Sequence, residues 1–310
     1  MNKLTESARG VFVIAATPFA ENGALDLEST DSLVDFYLER GADGLTILGV
    51  MGEAPKLTAE ESRAFVERVL ARVAGRVPII VGVSAPGLAP MRELAESAMQ
   101  MGAAGVMVAP PAAVRTNEQI VAYYEAVADA LGAQTPFVLQ DYPLTTNVVM
   151  SPATIVEILR RCPTCVMVKH EDWPGLAKIS ALRKASESGV IRRISILVGN
   201  GGLFLPEEME RGADGAMTGF AFPEMMVGVC RAYAAGNSDH AHDLFDAYLP
   251  LARYEQQQGV GLAVRKFILA RRGAIQSPAL RAPAPALSAL DIAEIERLIR
   301  RQDKRLAQLG

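Results

Sequence analysis

A five-residue pattern recurs along this chain. Arg40-Gly-Ala-Asp-Gly44 precedes Leu-Thr-Ile-Leu, Met101-Gly-Ala-Ala-Gly105 precedes Val-Met-Val, and Arg211-Gly-Ala-Asp-Gly215 precedes Ala-Met-Thr. Each first glycine suits the left-handed position just past a helix C-terminus. Each second glycine leads at once into an apolar strand. One helix-to-strand junction is thus used several times, and such repetition is the signature of a repeated βα unit.

The units can be counted. Strand-like segments fall at 11–16, 45–48, 78–83, 105–108, 136–140, 165–169, 194–198 and 215–218. Amphipathic stretches at 28–40, 59–74, 88–101, 117–131, 151–161, 173–187, 203–211 and 221–234 separate them. Thr58-Ala-Glu-Glu61 reads as a capping box for the second helix. Ser151-Pro152 offers an N-cap and an N1 proline for the fifth. About eight units in about 230 residues predict an α/β protein, a (β/α)₈ TIM barrel. A doubly wound sheet is the alternative, but Gly199-Asn-Gly-Gly202 lacks the third glycine of a dinucleotide fingerprint and comes late. From about 236 the tail reads as helices at 238–257, 260–272 and 288–308, with a proline-rich stretch 278–286 between the last two. The expected organisation is a barrel over 1–235 and a C-terminal helical extension over 236–310, packed on the barrel or on a neighbouring subunit.

Composition narrows the function classes. The 310 residues are 50% hydrophobic and 21% charged, with a formal net charge of -4. That is an ordinary globular composition with no electrostatic footprint for nucleic acid. No apolar run approaches the roughly 18 residues that span a membrane. The N-terminal stretch lacks the apolar core of a secretory leader, so a cytoplasmic protein is expected. Cys162-Pro-Thr-Cys165 has CxxC spacing, but it lies between a helix end and a strand start, where a redox pair would face the wrong way. No second cysteine or histidine pair completes a zinc site. These cysteines and Cys230 are expected to be structural and reduced.

Chemistry concentrates where barrel enzymes place it, after the C-terminal ends of strands. The sixth strand, Thr-Cys-Val-Met-Val-Lys over 164–169, ends on Lys169. Burial there favours a neutral amine, which attacks carbonyls to form Schiff bases. The bland alternative is a lysine that marks the strand end and snorkels to solvent. Around it come Thr17-Pro-Phe19 after strand one, Gly49-Val50-Met51-Gly52-Glu53 after strand two, Gln140-Asp141-Tyr142-Pro143 after strand five and Gly199-Asn200-Gly201-Gly202 after strand seven. Two glycines around a tight turn at 49–52 suit close backbone approach to a small anion.

The order TPF, GxxGE, a tyrosine–proline loop, a strand-ending lysine, a glycine loop and GADG resembles the dihydrodipicolinate synthase / N-acetylneuraminate lyase family. The resemblance runs almost the whole chain and includes Lys266-Phe267 and the stretch 279–288. It implies a (β/α)₈ barrel, commonly a homotetramer, that binds pyruvate or a related 2-oxo acid as a lysine Schiff base for aldol cleavage, condensation or dehydration. The Schiff-base lysine falls on Lys169. No metal and no cofactor are implied.

The departures shape the rest of the reading. The family loop GTTGE has Val50 and Met51 in place of its threonines, which leaves backbone amides to hold a carboxylate. The family's acid/base tyrosine falls on Gln140, which hydrogen-bonds but cannot shuttle a proton. Strand alternation puts Tyr142 on the same face as Gln140, so Tyr142 is a candidate to supply the missing phenol. The same parity puts Glu171 with Lys169, as a second shuttle candidate whose plainer reading is a solvated loop carboxylate. It turns His170 outward, to be packed under the helix ring; His240 and His242 are expected on the surface. Gly199 and Met217, at the ends of strands seven and eight, complete the expected substrate-binding set with Val50, Met51 and Gln140. Thr145 stands where true synthases carry an arginine, and Pro110-Pro-Ala-Ala113 where they carry a tyrosine pair. A Schiff-base lyase acting by aldol cleavage or condensation on a 2-oxo acid, with an aldehyde as second substrate, is the main expectation. A dehydratase or hydratase-aldolase acting on a sugar acid or an aromatic 2-oxo acid is the alternative. A non-catalytic barrel that binds a 2-oxo acid is the rival from another class.

Overall fold

A computed structural model describes residues 3–309; the first two residues of the N-terminal stretch and Gly310 lie outside it. Among the described residues, eight parallel strands close into a barrel in sequence order. They are β1 (Gly10–Ile14), β2 (Gly44–Ile47), β3 (Ile79–Gly82), β4 (Gly105–Val108), β5 (Phe137–Asp141), β6 (Cys165–His170), β7 (Ser195–Val198) and β8 (Gly215–Ala216). The helices that return between them are α1 (Leu27–Glu39), α2 (Ala59–Val73), α3 (Leu88–Met101), α4 (Asn117–Leu131), a single turn α5 (Pro143–Thr146), α6 (Pro152–Arg161), α7 (Leu176–Glu187) and α8 (Leu205–Glu210). After β8 come α9 (Pro223–Ala234), α10 (Ser238–Glu255), α11 (Gly261–Arg271) and α12 (Ala289–Leu309). The expected (β/α)₈ barrel with extra C-terminal helices is therefore the observed fold.

The repeated junction does what its glycines imply. Gly41, Gly102 and Gly212 all have positive φ, at 81°, 103° and 92°, and each turns a helix end into the next strand. The predicted caps form. The Thr58 side chain accepts from the Glu61 amide at 3.1 Å while Glu61 accepts from the Thr58 amide at 2.9 Å. Ser151 caps α6 with Pro152 in its first turn.

Three helix starts fall later than hydrophobic periodicity suggests, at Leu176, Leu205 and Pro223. Proline is the common cause. Pro174 pushes the residue before it out of helical conformation, while Pro206 and Pro223 stand in the first turns of their helices, where proline is tolerated and marks the start. The last strand is shorter than expected, although the Met217 amide still donates to the Val198 carbonyl at 2.8 Å.

Two apolar layers result. One lies between sheet and helices. The other fills the barrel interior, with Phe12, Ile14, Ile80, Met107, Met167 and Leu197 among its members. A filled interior leaves chemistry to the rim. The tail reaches that rim: the adjacent cations Arg265 and Lys266 of α11 bond to Gly219 and Glu53, in the loops after β8 and β2.

Candidate active site

β6 carries the first functional pair. Lys169 Nζ lies 2.6 Å from Glu171 Oε1, and both side chains are 6% exposed. The buried Gln140 side chain reaches across from β5, and its Nε2 donates to the same Glu171 oxygen at 2.8 Å. The loop after β7 completes the cradle. The Asn200 Nδ2 donates to the Glu171 carbonyl at 2.9 Å, and the Asn200 amide approaches Oε2 at 3.4 Å. Gly199 is required here, because a Cβ on it would stand 2.1 Å from Glu171 Cγ.

Glu171 is thus not the solvated loop carboxylate of the plainer reading. β6 runs one residue further than its apolar run, to His170. The Glu171 amide then extends the ladder by donating to the Asp141 carbonyl at 2.8 Å. Strand parity persists past the strand end, so Glu171 turns inward beside Lys169. His170 turns outward as expected. It is buried, with Nδ1 3.4 Å from Asp141 Oδ2 and Nε2 3.1 Å from the Gly175 carbonyl. Lys178 bridges Asp141 and Asp172 at 2.7 and 2.6 Å. His240 is exposed and His242 partly so.

Tyr142 opens the single turn α5, where the chain bends at Pro143. It is half-buried. Burial, and then the charge of Glu171, push its phenol up, while a hydrogen bond with Thr145 opposes them. A phenol so placed stays protonated and donates hydrogen bonds. The Tyr142 phenol therefore lies close enough to Glu171 for its charge to act on it. Ala112 and Ala113, after β4, are exposed and offer no charge.

The loop after β2 forms a tight turn, Val50–Gly52. Gly52 and Glu53 donate back to the carbonyls of Gly49 and Val50. The amides of Val50 and Met51, at the head of the turn, donate to no acceptor among the described residues. From the strand-one loop, Thr17 Oγ1 donates to the Gly52 carbonyl at 2.6 Å and pins the turn. Glu53, in left-handed conformation and buried, holds Lys266 at 2.7 Å, Lys56 at 2.9 Å and the Arg281 amide at 3.1 Å. Burial draws Lys266 below its ordinary value. Val50 is half exposed; Met51 packs on the barrel interior, and the buried Met217 lies within it, so these two methionines line the floor.

Sequence reasoning missed Asn200 and the cations of α11. Asparagine between glycines is a weak signal for a left-handed residue, and Asn200 has φ 50°. Two charges inside the apolar run Gly-Leu-Ala-Val-Arg-Lys-Phe-Ile-Leu were the available sign of buried partners. The three cysteines are free and buried. Burial pushes Cys162 up to about 11 and Cys165 and Cys230 up to about 12, which makes all three poor nucleophiles.

A lysine amine, a carboxylate in contact with it, an amide that orients the carboxylate and a nearby pair of open backbone amides form one constellation. It can hold a carboxylate, present an amine to the adjoining carbonyl and move protons next to it. Comparisons with known proteins point the same way. The chain is 33% identical over 303 residues to L-2-keto-3-deoxyarabonate dehydratase of Azospirillum brasilense, covering 96% of each. It is 30% identical over 246 residues to 4-hydroxy-tetrahydrodipicolinate synthase of Persephonella marina, covering 78% of this chain and 81% of that one. The crystal structure of a dihydrodipicolinate synthase from Rhodopseudomonas palustris matches it with a TM-score of 0.95 at 54% identity, covering 97% of this chain and 100% of that one. With residues 7–302 matching the dihydrodipicolinate synthetase family, the chain belongs to that family of class I aldolase-type lyases and dehydratases.

Proposed function

We propose that this protein is a Schiff-base dehydratase acting on a 2-keto-3-deoxy sugar acid, with Lys169 as the imine-forming residue and Glu171 as the proton shuttle. The observation that carries this reading is the buried Glu171 carboxylate 2.6 Å from Lys169 Nζ, with Gln140 bonded to it in place of the family tyrosine.

The chemistry follows from the arrangement. The amides of Val50 and Met51 hold the substrate carboxylate. Glu171 takes a proton from Lys169, and the free amine attacks C2; Glu171 then returns that proton to the carbinolamine hydroxyl, whose loss as water gives a protonated imine. That imine draws electrons, so Glu171 can remove a proton from C3 and leave an enamine. The electron pair then returns, the C4–O bond breaks, and Glu171 gives its proton to the departing hydroxyl. One C–H and one C–O bond are exchanged for a C3=C4 double bond and one water, and hydrolysis frees Lys169. Gln140 orients Glu171 throughout, and Tyr142 offers a hydrogen bond from the mouth. Gly199 keeps the space that Glu171 needs.

Aldol cleavage, the main expectation from the sequence, is less well supported. The position that handles the aldol hydroxyl proton in the family is Gln140, which cannot accept and return it. Synthase activity is also poorly supported, despite the relative at 54% identity. Thr145 stands where the synthases carry an arginine, so no guanidinium there holds a second carboxylate. The relative at 33% identity over 96% of both chains is named a dehydratase, which favours water loss.

Product analysis with 2-keto-3-deoxy-L-arabonate tests the reading. The expected product is the substrate less one water, with its carbon chain whole. Pyruvate and a two-carbon aldehyde would establish aldol cleavage instead, and no product from any 2-oxo acid would favour the non-catalytic binder. The same proposal includes a barrel over 1–235 with its extension 236–310 as one unit, since α11 supplies Arg265 and Lys266 to the rim. It also includes a homotetramer, which light scattering of the intact chain would check.

A further inference from the structure

Arg265 is among the largest fully buried side chains, and it is only partly satisfied. Its Nε pairs with Glu255 at 2.5 Å, and its Nη2 donates to the Gly219 carbonyl. Glu255 is occupied in turn, its second oxygen accepting from the Ala221 amide at 3.0 Å. Nη1 is buried and has no hydrogen-bond partner. A buried guanidinium N–H without an acceptor is costly, and such an orphan in a native fold calls for a partner.

Gly219 shows where that N–H lies. Met217 belongs to the barrel-interior layer, and the Ile14 amide donating to the Thr218 carbonyl at 2.9 Å continues the pairing with β1 past β8, so two residues on Gly219 presents its absent side chain to the same side. A Cβ built on Gly219 would stand 2.0 Å from Arg265 Nη1 and 3.0 Å from the Ile14 carbonyl. Nη1 therefore occupies the position of an inward side chain at 219, above Met217 and beside the end of β1. The charge of Arg265 is felt by the Tyr142 phenol, on which Glu171 also acts. Arg265 reaches the loop after β8, where its Nη2 bonds Gly219 and its Nη1 lies near the Ile14 carbonyl at the end of β1.

We infer that Arg265 Nη1, which takes the place of a side chain at Gly219 and has no partner of its own, binds the far end of the substrate. It donates to a terminal hydroxyl oxygen of a 2-oxo acid whose keto end sits on Lys169. This inference rests on the Schiff-base reading above and adds the specificity of the same site. A neutral hydroxyl fits better than a second carboxylate. Glu255 already balances the guanidinium, so another anion beside Glu171 and Glu255 would be uncompensated.

The test uses ligands that cannot dehydrate. Borohydride trapping of the full chain is titrated with 5-hydroxy-2-oxopentanoate, 2-oxopentanoate and 2-oxoglutarate, which share a chain length and differ at the far end. Pyruvate trapping reports whether each variant is folded. The wild type is expected to reach half-trapping with the hydroxylated acid at about 10- to 100-fold lower concentration than with 2-oxopentanoate. Gly219→Ala, which sets a methyl group on Nη1, and Arg265→Lys, which keeps the charge for Glu255 but lacks the fork, should bring that ratio to within about twofold. A wild-type ratio near one, a preference for 2-oxoglutarate, or a ratio that survives in a folded variant would overturn the inference. Should neither variant fold, the wild-type ratio decides. No trapping by any of the acids, pyruvate included, would instead remove the Schiff-base reading beneath it.

Discussion

Glu171 carries more of the account than its place in the sequence suggests. It follows the strand-ending lysine by two residues, so alternation alone turns it to the side of Lys169. Its burial depends on two things alternation does not reveal: Gly199 leaves it room, and Gln140 gives it a fixed partner. Glu171→Gln keeps the shape and removes the proton acceptor. Turnover is expected to fall by about 10²- to 10⁴-fold, while imine formation on Lys169 with pyruvate persists on prolonged incubation. Equal turnover in the variant would shift the shuttle to Tyr142. A second substitution tests the departure from the synthases. Gln140→Tyr restores the family phenol but leaves Thr145 without a guanidinium, so no synthase activity is expected from a coupled assay with pyruvate and the aldehyde substrate. Lys169 could be singled out only from the order of motifs around it, since a lysine at the end of an apolar strand reads equally well as a snorkelling side chain. Arg265 could not, because nothing in an amphipathic helix says that its cation crosses the rim to a glycine on another loop.

At the level of elements, the repeated junction and hydrophobic periodicity located every strand and nearly every helix; proline explains the displaced helix starts. The single turn α5 was invisible because four residues hold no periodicity. The helix α8 carries a cost of its own. Burial, then the charges of Glu207 and Glu171, push the Glu208 carboxyl from its ordinary 4.5 up to about 8, and its Oε2 has no partner. Below pH 4.5 this group is protonated whether the chain is folded or not, and stability is unaffected. As pH rises from 4.5 toward 8 the unfolded chain ionises while the folded one holds its proton, so stability is lost across that window. Glu208→Gln removes the penalty. Its melting temperature should match the wild type near pH 4.5 and exceed it by roughly 2–5 °C at pH 8, read by thermal denaturation across pH. A gap that stays constant with pH would contradict this.

The whole molecule joins its tail to its mouth. Lys266 binds Glu53 behind the Val50–Gly52 turn, and Arg281 grips Glu61 and the Gly23 carbonyl. The proline-rich stretch is thereby an anchored strap, a role that composition could not disclose, whereas barrel closure followed from counting units. Cutting the chain after residue 235 would leave Glu53 buried beside Lys56 alone and strip the cover from α9. Loss of one partner of a buried pair costs about 3–5 kcal/mol, so the shortened chain is expected to lose its cooperative melting transition; a sharp transition in calorimetry would show instead that the barrel folds alone. The central claim is that Lys169 forms an imine with a 2-oxo acid. Borohydride reduction in the presence of pyruvate, followed by peptide mass spectrometry, tests it most directly. The account predicts an adduct on Lys169 that is absent from Lys169→Ala; no adduct with pyruvate or any larger 2-oxo acid, or one on a different lysine, would contradict it.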